Sequence, residues 1–204
     1  MLNKAWRQQT WQDLDTLWDI IVIGGGITGA GIFNMAAQKG LKVALLEARD
    51  FSFGTSSRSS KLVHGGIRYL RNRQLDVVRE SVKERERLIR ESDSLVDPLA
   101  FVFPSYEHNP NEAKLMKMGV IVYDLMAPKW QHRSLNAARV QKLLPALDDT
   151  DLVGGVKYFD SRVDDSQLVL RVIMDGIRFG GLALNYAPVT ALCKSRQGDV
   201  EGVV

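Results

Sequence analysis

The chain has 204 residues, 45% hydrophobic and 25% charged, which allows one sizeable core or two small ones and excludes a disordered composition. One cysteine, Cys193, excludes an internal disulfide framework and best fits a reducing compartment; with His64, His108 and His132 it makes no metal-ligand spacing. The formal charge of +3 is uneven: residues 58–90 hold ten Lys or Arg against four acids, which suggests an anionic ligand, an anionic membrane surface, a nucleic acid, or a solvated helix carrying its own ion pairs.

The first 18 residues have no apolar h-region and contain acidic residues, so they read as neither a signal peptide nor a transit peptide. Trp6, Trp11 and Trp18 are expected to pack on the domain that follows. Residues 20–37 carry no charge and approach bilayer-spanning length. Five glycines interrupt them, so Asp19–Ile23 is predicted as a buried strand, 27–39 as a helix ended by Gly40, and 41–47 as a second buried strand. Short connections make this a βαβ unit with parallel strands.

Residues 50–66 are turn-rich and polar, and Leu75, Val78, Val82 and Ile89 predict a helix over 72–92. Pro98 and Pro104 are expected to bound a short strand. Helices are predicted at 111–126 and 134–144, the latter with Ser134 as N-cap and Pro145 as stop. Strand and turn follow at 154–165, a helix at 166–179, a strand at 181–192 and a hairpin cut short at 193–204. The chain ends on Val203 and Val204 within that hairpin, so unpaired ladder groups and an incomplete protein are expected.

Gly24, Gly26 and Gly29 form G-x-G-x-x-G after a predicted strand and before a predicted helix, with Glu47 closing the second strand 18 residues further on. In that setting Gly24 permits the tight turn, Gly26 admits a diphosphate to the backbone, and Gly29 allows close helix–strand packing. The helix N-terminus supplies positive potential, and Glu47 would accept from ribose hydroxyls and repel a 2′-phosphate, which favours FAD or NAD over NADP. Ala30 follows Gly29 with no Lys-Ser or Lys-Thr, so a P-loop is excluded.

The second polar stretch, SSRSSKLVHGGIRYL at 56–70, reads on composition as a linker, a nucleophile loop, a phosphate cradle or a cofactor wall. It contains no G-x-S-x-G, and Arg58 stands where S-x-x-K needs serine. A histidine near neutral pKa suits removal of a hydroxyl proton during alcohol oxidation, and His64 is the histidine in this loop. Arg68 offers a planar donor fork for a phosphate dianion, with the Tyr69 hydroxyl beside it.

Residues 19–70, and above all SSKLVHGGIRYL, resemble the N-terminus of the FAD-dependent, quinone-linked glycerol-3-phosphate dehydrogenases. PLAFVFP, YDLM at 123–126 and YFDSRVDDSQLVL at 158–170 are similar to the same family in order and approximate spacing. The resemblance implies an α/β fold, a Rossmann-like FAD-binding domain with a parallel sheet interleaved with part of a mixed α+β substrate domain. The expected divisions are a leader at 1–18, the FAD-binding domain at 19–97, a substrate-domain portion at 98–180 and a return at 181–204.

It further implies oxidation of sn-glycerol 3-phosphate to dihydroxyacetone phosphate, with electrons passing through FAD to membrane quinone at the cytoplasmic membrane surface. Gly24, Gly26, Gly29 and Glu47 would hold the ADP half. Thr55, Ser56, Ser59, Ser60, Lys61, Leu62, Gly65 and Gly66 would line the pyrophosphate and flavin, and Val189 would lie near the adenine. His64 would be the catalytic base, with Arg68 and Tyr69 binding substrate. Two competing readings are an FAD-dependent amine or amino-acid oxidase, with less need for Lys61 and Arg68, and a non-catalytic module using residues 58–90 as a nucleic-acid face.

Overall fold

The computed structural model describes residues 4–66, 69, 74–92, 95–126 and 132–204. In chain order the elements are α1 (Lys4–Asp13), β1 (Ile20–Ile23), α2 (Ile27–Gln38), β2 (Val43–Leu46), β3 (Leu62–Val63), α3 (Leu75–Glu91), β4 (Val96–Tyr106) and α4 (Pro110–Met126). They continue with β5 (Arg133–Asn136), α5 (Ala137–Leu143), β6 (Leu152–Val163), α6 (Asp165–Arg178), β7 (Leu182–Leu184), β8 (Leu192–Lys194) and β9 (Val200–Val203). Two compact units form, Met1–Ser60 with Asp164–Val204, and Lys61–Val163.

In the first unit β1, β2 and β7 make a parallel sheet in the order β1-β2-β7, with Ile20 opposite Val43 and Ala44 opposite Leu182. The βαβ opening is therefore as the sequence predicts. Val43, Leu45 and Ala183 join Phe33 of α2 and Ile173 of α6 in one buried cluster. Gly176 and Gly181 leave room for the Phe33 ring, which a Cβ at either position would approach within 2.6 Å. The carboxyl ends of β1 and β2 carry the glycine loop and Glu47, the usual ligand-binding edge of such a sheet.

The strand expected over 181–192 is confined to Leu182–Leu184. Past it the Tyr186 amide bonds to the Arg49 carbonyl and the Ala187 amide to that of Glu47, so the chain turns across the end of β2 instead of extending. Val189 then packs beside Leu46, Leu184 and Ala187. The terminal hairpin forms as β8 and β9. Its last residue is paired, contrary to expectation: Val204 donates to the Ala191 carbonyl and accepts from the Thr190 amide.

The leader forms α1, which Arg7 anchors by donating to the carbonyl and side-chain oxygens of Asn185 at 2.7 and 3.1 Å. Trp6 and Trp18 are half-buried, whereas Trp11 is 50% exposed and does not pack as expected. Arg7 and the buried Thr10 hold this helix, and Trp11 sits at the edge of that face.

In the second unit β6 pairs antiparallel with β4 on one side and with β3 and β5 on the other. β4 runs through both Pro98 and Pro104, so the prolines do not bound it. They pair with Ser161 and Gly155 and are six residues apart, so both missing N–H groups face the same side; β4 is an edge strand among the described residues, where proline is tolerated. Ser134 is not a helix cap but a β5 residue opposite Val156. Asn136 caps α5 instead, its side-chain oxygen accepting the Arg139 amide at 2.9 Å.

The units divide at 60/61 and 163/164, whereas the sequence reading divides the chain at 97/98 and 180/181. The reason is packing: Val78 and Val82 of α3 cluster with Tyr123 of α4, while Val169 and Ile173 of α6 cluster with Phe33.

Candidate cofactor and active site

The glycine loop of the first unit allows almost no side chains. Gly24 sits at φ +109°, a conformation other residues rarely adopt, and its amide donates to the Leu46 carbonyl at 2.8 Å. A Cβ on Gly29 would stand 1.9 Å from the Gly24 carbonyl oxygen, so α2 crosses the loop at a distance that requires glycine. Gly26 precedes α2, and a Cβ there would lie 3.1 Å from Ser56 Oγ.

Ser56 Oγ accepts the Ile27 amide at 2.9 Å, a hydroxyl placed at the positive end of α2. Thr55 and Ser56 lie in a short 3₁₀ turn, and Ser60 is exposed just beyond it. Ser59 Oγ donates to Asp165 Oδ2 at 2.8 Å, tying this turn to the start of α6. Glu47 Oε2 accepts the Gly25 amide at 2.7 Å and Oε1 accepts the Arg49 amide at 2.8 Å. A carboxylate has about four acceptor positions, so roughly two stay available for hydroxyls. An amide-bearing helix terminus, a loop closed to Cβ atoms and a carboxylate with spare acceptors fit the diphosphate and ribose of FAD.

In the second unit Lys61 adopts φ +56°, its carbonyl accepts the Val163 amide at 2.9 Å, and Leu62 pairs with Arg162. His64 is half-buried and lines an open depression of about 440 Å³ with Leu62, Val63, Glu80, Ser81, Glu84 and Arg85. Gly66 has φ +70°, and a Cβ there would meet the Tyr69 ring at 2.3 Å. Tyr69 is half-buried against Val78, Val82 and Tyr123, its amide bonded to the Gly66 carbonyl. Arg68 lies outside the described residues.

Beside His64 the chain enters a buried polar assembly that sequence reasoning missed. The Gly65 amide donates to Tyr123 Oη at 2.9 Å and to Asp160 Oδ1 at 3.1 Å. Tyr123 Oη donates to Asp160 Oδ1 at 3.0 Å, and Arg85 Nη1 reaches the phenol oxygen at 2.5 Å and the carboxylate at 3.3 Å. Arg85 also pairs with Glu86 at 2.6 Å. Burial pushes the Tyr123 phenol well above its ordinary range, with the Arg85 charge opposing the shift and Asp160 adding to it.

A signal for this assembly exists in the sequence. Arg85 stands on the stripe of Val78, Val82 and Ile89, where an apolar residue belongs. A cation in that position requires a buried partner. Elsewhere on α3, Arg87 pairs with Glu84 and Glu91, and Arg90 with Glu91, so these basic residues are matched within their own helix. For Arg87 and Arg90 that arrangement is the ion-paired pattern of a solvated helix.

Comparison with known proteins gives one consistent result. The family model described as "DAO: FAD dependent oxidoreductase" matches residues 19–204. A glycerol-3-phosphate dehydrogenase of Synechocystis sp. is 37% identical over 193 residues, covering 93% of this chain and 35% of that protein. The chain thus spans about a third of the length of the curated relatives it matches. Among solved structures, the glycerol-3-phosphate dehydrogenase from Bacillus halodurans complexed with FAD superimposes with a TM-score of 0.73 at 29% identity, over 97% of this chain and 32% of that one. L-proline dehydrogenase from P. horikoshii reaches 0.69 at 19% identity, over 91% and 48%, a likeness of fold.

Proposed function

The chain belongs to the FAD-dependent oxidoreductase family, and on that premise we propose that it serves a flavoenzyme oxidising sn-glycerol 3-phosphate to dihydroxyacetone phosphate. The observation that carries this reading is the 37% identity to a glycerol-3-phosphate dehydrogenase across nearly the whole chain. When bound, FAD supplies the two-electron acceptor that no side chain provides.

The chain's own residues divide the remaining work. Gly24, Gly26, Gly29 and Glu47 hold the ADP half, with Val189 toward the adenine. Thr55, Ser56, Ser59, Ser60, Lys61, Leu62, Gly65 and Gly66 line the rest of the cofactor. His64 takes the proton of the C2 hydroxyl as the C2 hydride leaves, and Arg68 and Tyr69 bind the substrate phosphate. The unit of Met1–Ser60 and Asp164–Val204 acts as the cofactor domain and Lys61–Val163 as part of the substrate domain.

Electrons pass on to quinone at the cytoplasmic face of the membrane, reached by peripheral contact; no described helix is long and apolar enough to cross a membrane. The test is the absorption spectrum of protein expressed from its full reading frame, followed by dye-linked and oxygen-linked assays with glycerol 3-phosphate and with amino acids. Flavin absorbance and turnover of glycerol 3-phosphate are expected. Turnover of amino acids alone would establish the amine-oxidase reading instead.

A further inference from the structure

We propose that Tyr123, Asp160 and Arg85 are positioning residues that hold the His64–Gly65 peptide in one orientation and thereby aim His64. The inference rests on the reading of His64 as the proton acceptor. The Gly65 N–H and the His64 C=O belong to one planar unit, so fixing the amide fixes the backbone that carries the imidazole. That amide is held twice, by Tyr123 Oη at 2.9 Å and Asp160 Oδ1 at 3.1 Å. Both acceptors are fixed in turn, because Tyr123 donates to Asp160 and Arg85 bonds to each.

The assembly is buried: Tyr123 is 1% exposed, Arg85 4% and Asp160 6%. An apolar trio of similar volume would stabilise the core about as well, since burying an ion pair costs roughly what the pairing returns. An apolar trio would not give an N–H a single direction. Glycine at 65 fits the same purpose: a Cβ would stand 2.2 Å from Tyr123 Oη, so only glycine lets the peptide lie against the phenol.

The experiment compares the wild-type full chain with Tyr123→Phe, Asp160→Asn and Val140→Ala, the last a buried residue of the same unit outside the assembly. Turnover of glycerol 3-phosphate, bound flavin, Tm and exchange of the Gly65 amide are measured. Tyr123→Phe is expected to lower kcat by about tenfold to a hundredfold, as a displaced catalytic group does, with KM and bound flavin nearly unchanged. Gly65 exchange should accelerate at least about tenfold. Val140→Ala should lower Tm by a few degrees and leave kcat in place. Unchanged kcat in Tyr123→Phe, or an equal loss in Val140→Ala, would overturn the proposal. If the wild-type protein bound no flavin or ignored glycerol 3-phosphate, the functional reading would fail separately. In that case unchanged Gly65 exchange in Tyr123→Phe and Asp160→Asn would overturn the anchoring itself.

Discussion

Glu47 Oε2 accepts the Gly25 amide at 2.7 Å, joining the residue after β2 to the loop after β1. The carboxylate that the sequence assigns to a ribose is therefore also a strut of the glycine loop, since its other oxygen holds the Arg49 amide. Glu47→Ala should leave two amides without their acceptor, costing about 1–3 kcal/mol for each that stays dry. Glu47→Gln keeps one acceptor oxygen and should cost less. Chemical denaturation measures both, and flavin titration should show weaker binding in the same order.

Gly29→Ala should be severe. The added Cβ falls 1.9 Å from a backbone carbonyl, which cannot swing aside as a side-chain tip would. Overpacking of this kind costs about 1–3 kcal/mol or more. A drop in Tm together with loss of bound flavin is the expected result, and Gly31→Ala, where a Cβ meets nothing within 4 Å, serves as the tolerated control.

His64→Ala tests the proton acceptor. With general-base help removed, kcat should fall by about a hundredfold to ten-thousandfold. Flavin content and Tm should hold, because His64 is only half-buried at the rim of its depression. Steady-state kinetics beside the flavin spectrum of the same preparation decides the matter.

Arg85→Met should be among the most destabilising single changes in the second unit. It leaves Asp160, 6% exposed, without its cation, and breaking a buried pair costs about 3–5 kcal/mol. Adding Asp160→Leu should recover much of that loss. Equilibrium urea melts of the two variants give the comparison.

The same assembly predicts an alkaline weakness. Burial keeps the Tyr123 phenol protonated above the ordinary value of 10.0. Folded protein then holds a proton that unfolded chain gives up, so this contribution is complete below that value and declines as pH rises beyond it toward the higher folded one. Urea midpoints at about pH 9 and about pH 11 should differ by less in Tyr123→Phe than in wild type.

Local pattern sufficed for the βαβ opening of the first unit. A buried strand, G-x-G-x-x-G, a helix and a second buried strand can be arranged in few ways, and each glycine's role follows from short-range sterics that the structure repeats at Gly24 and Gly29. Patterns failed where a distant partner decided the outcome. Pro98 and Pro104 signalled strand ends, but pairing with β6 carried β4 through both. Ser134 suited a helix cap until Val156 claimed it for the sheet.

Contiguous motifs were enough to identify the family, the βαβ unit, the candidate FAD residues of the two loops and the histidine in the second one. How that loop is held emerges only from long-range packing. Gly65, Arg85, Tyr123 and Asp160 are spread over 96 positions and converge on one amide. Hydrogen bonds between residues so far apart leave no periodic trace along the chain; the one hint, a cation in the apolar stripe of α3, states that a partner exists without naming it.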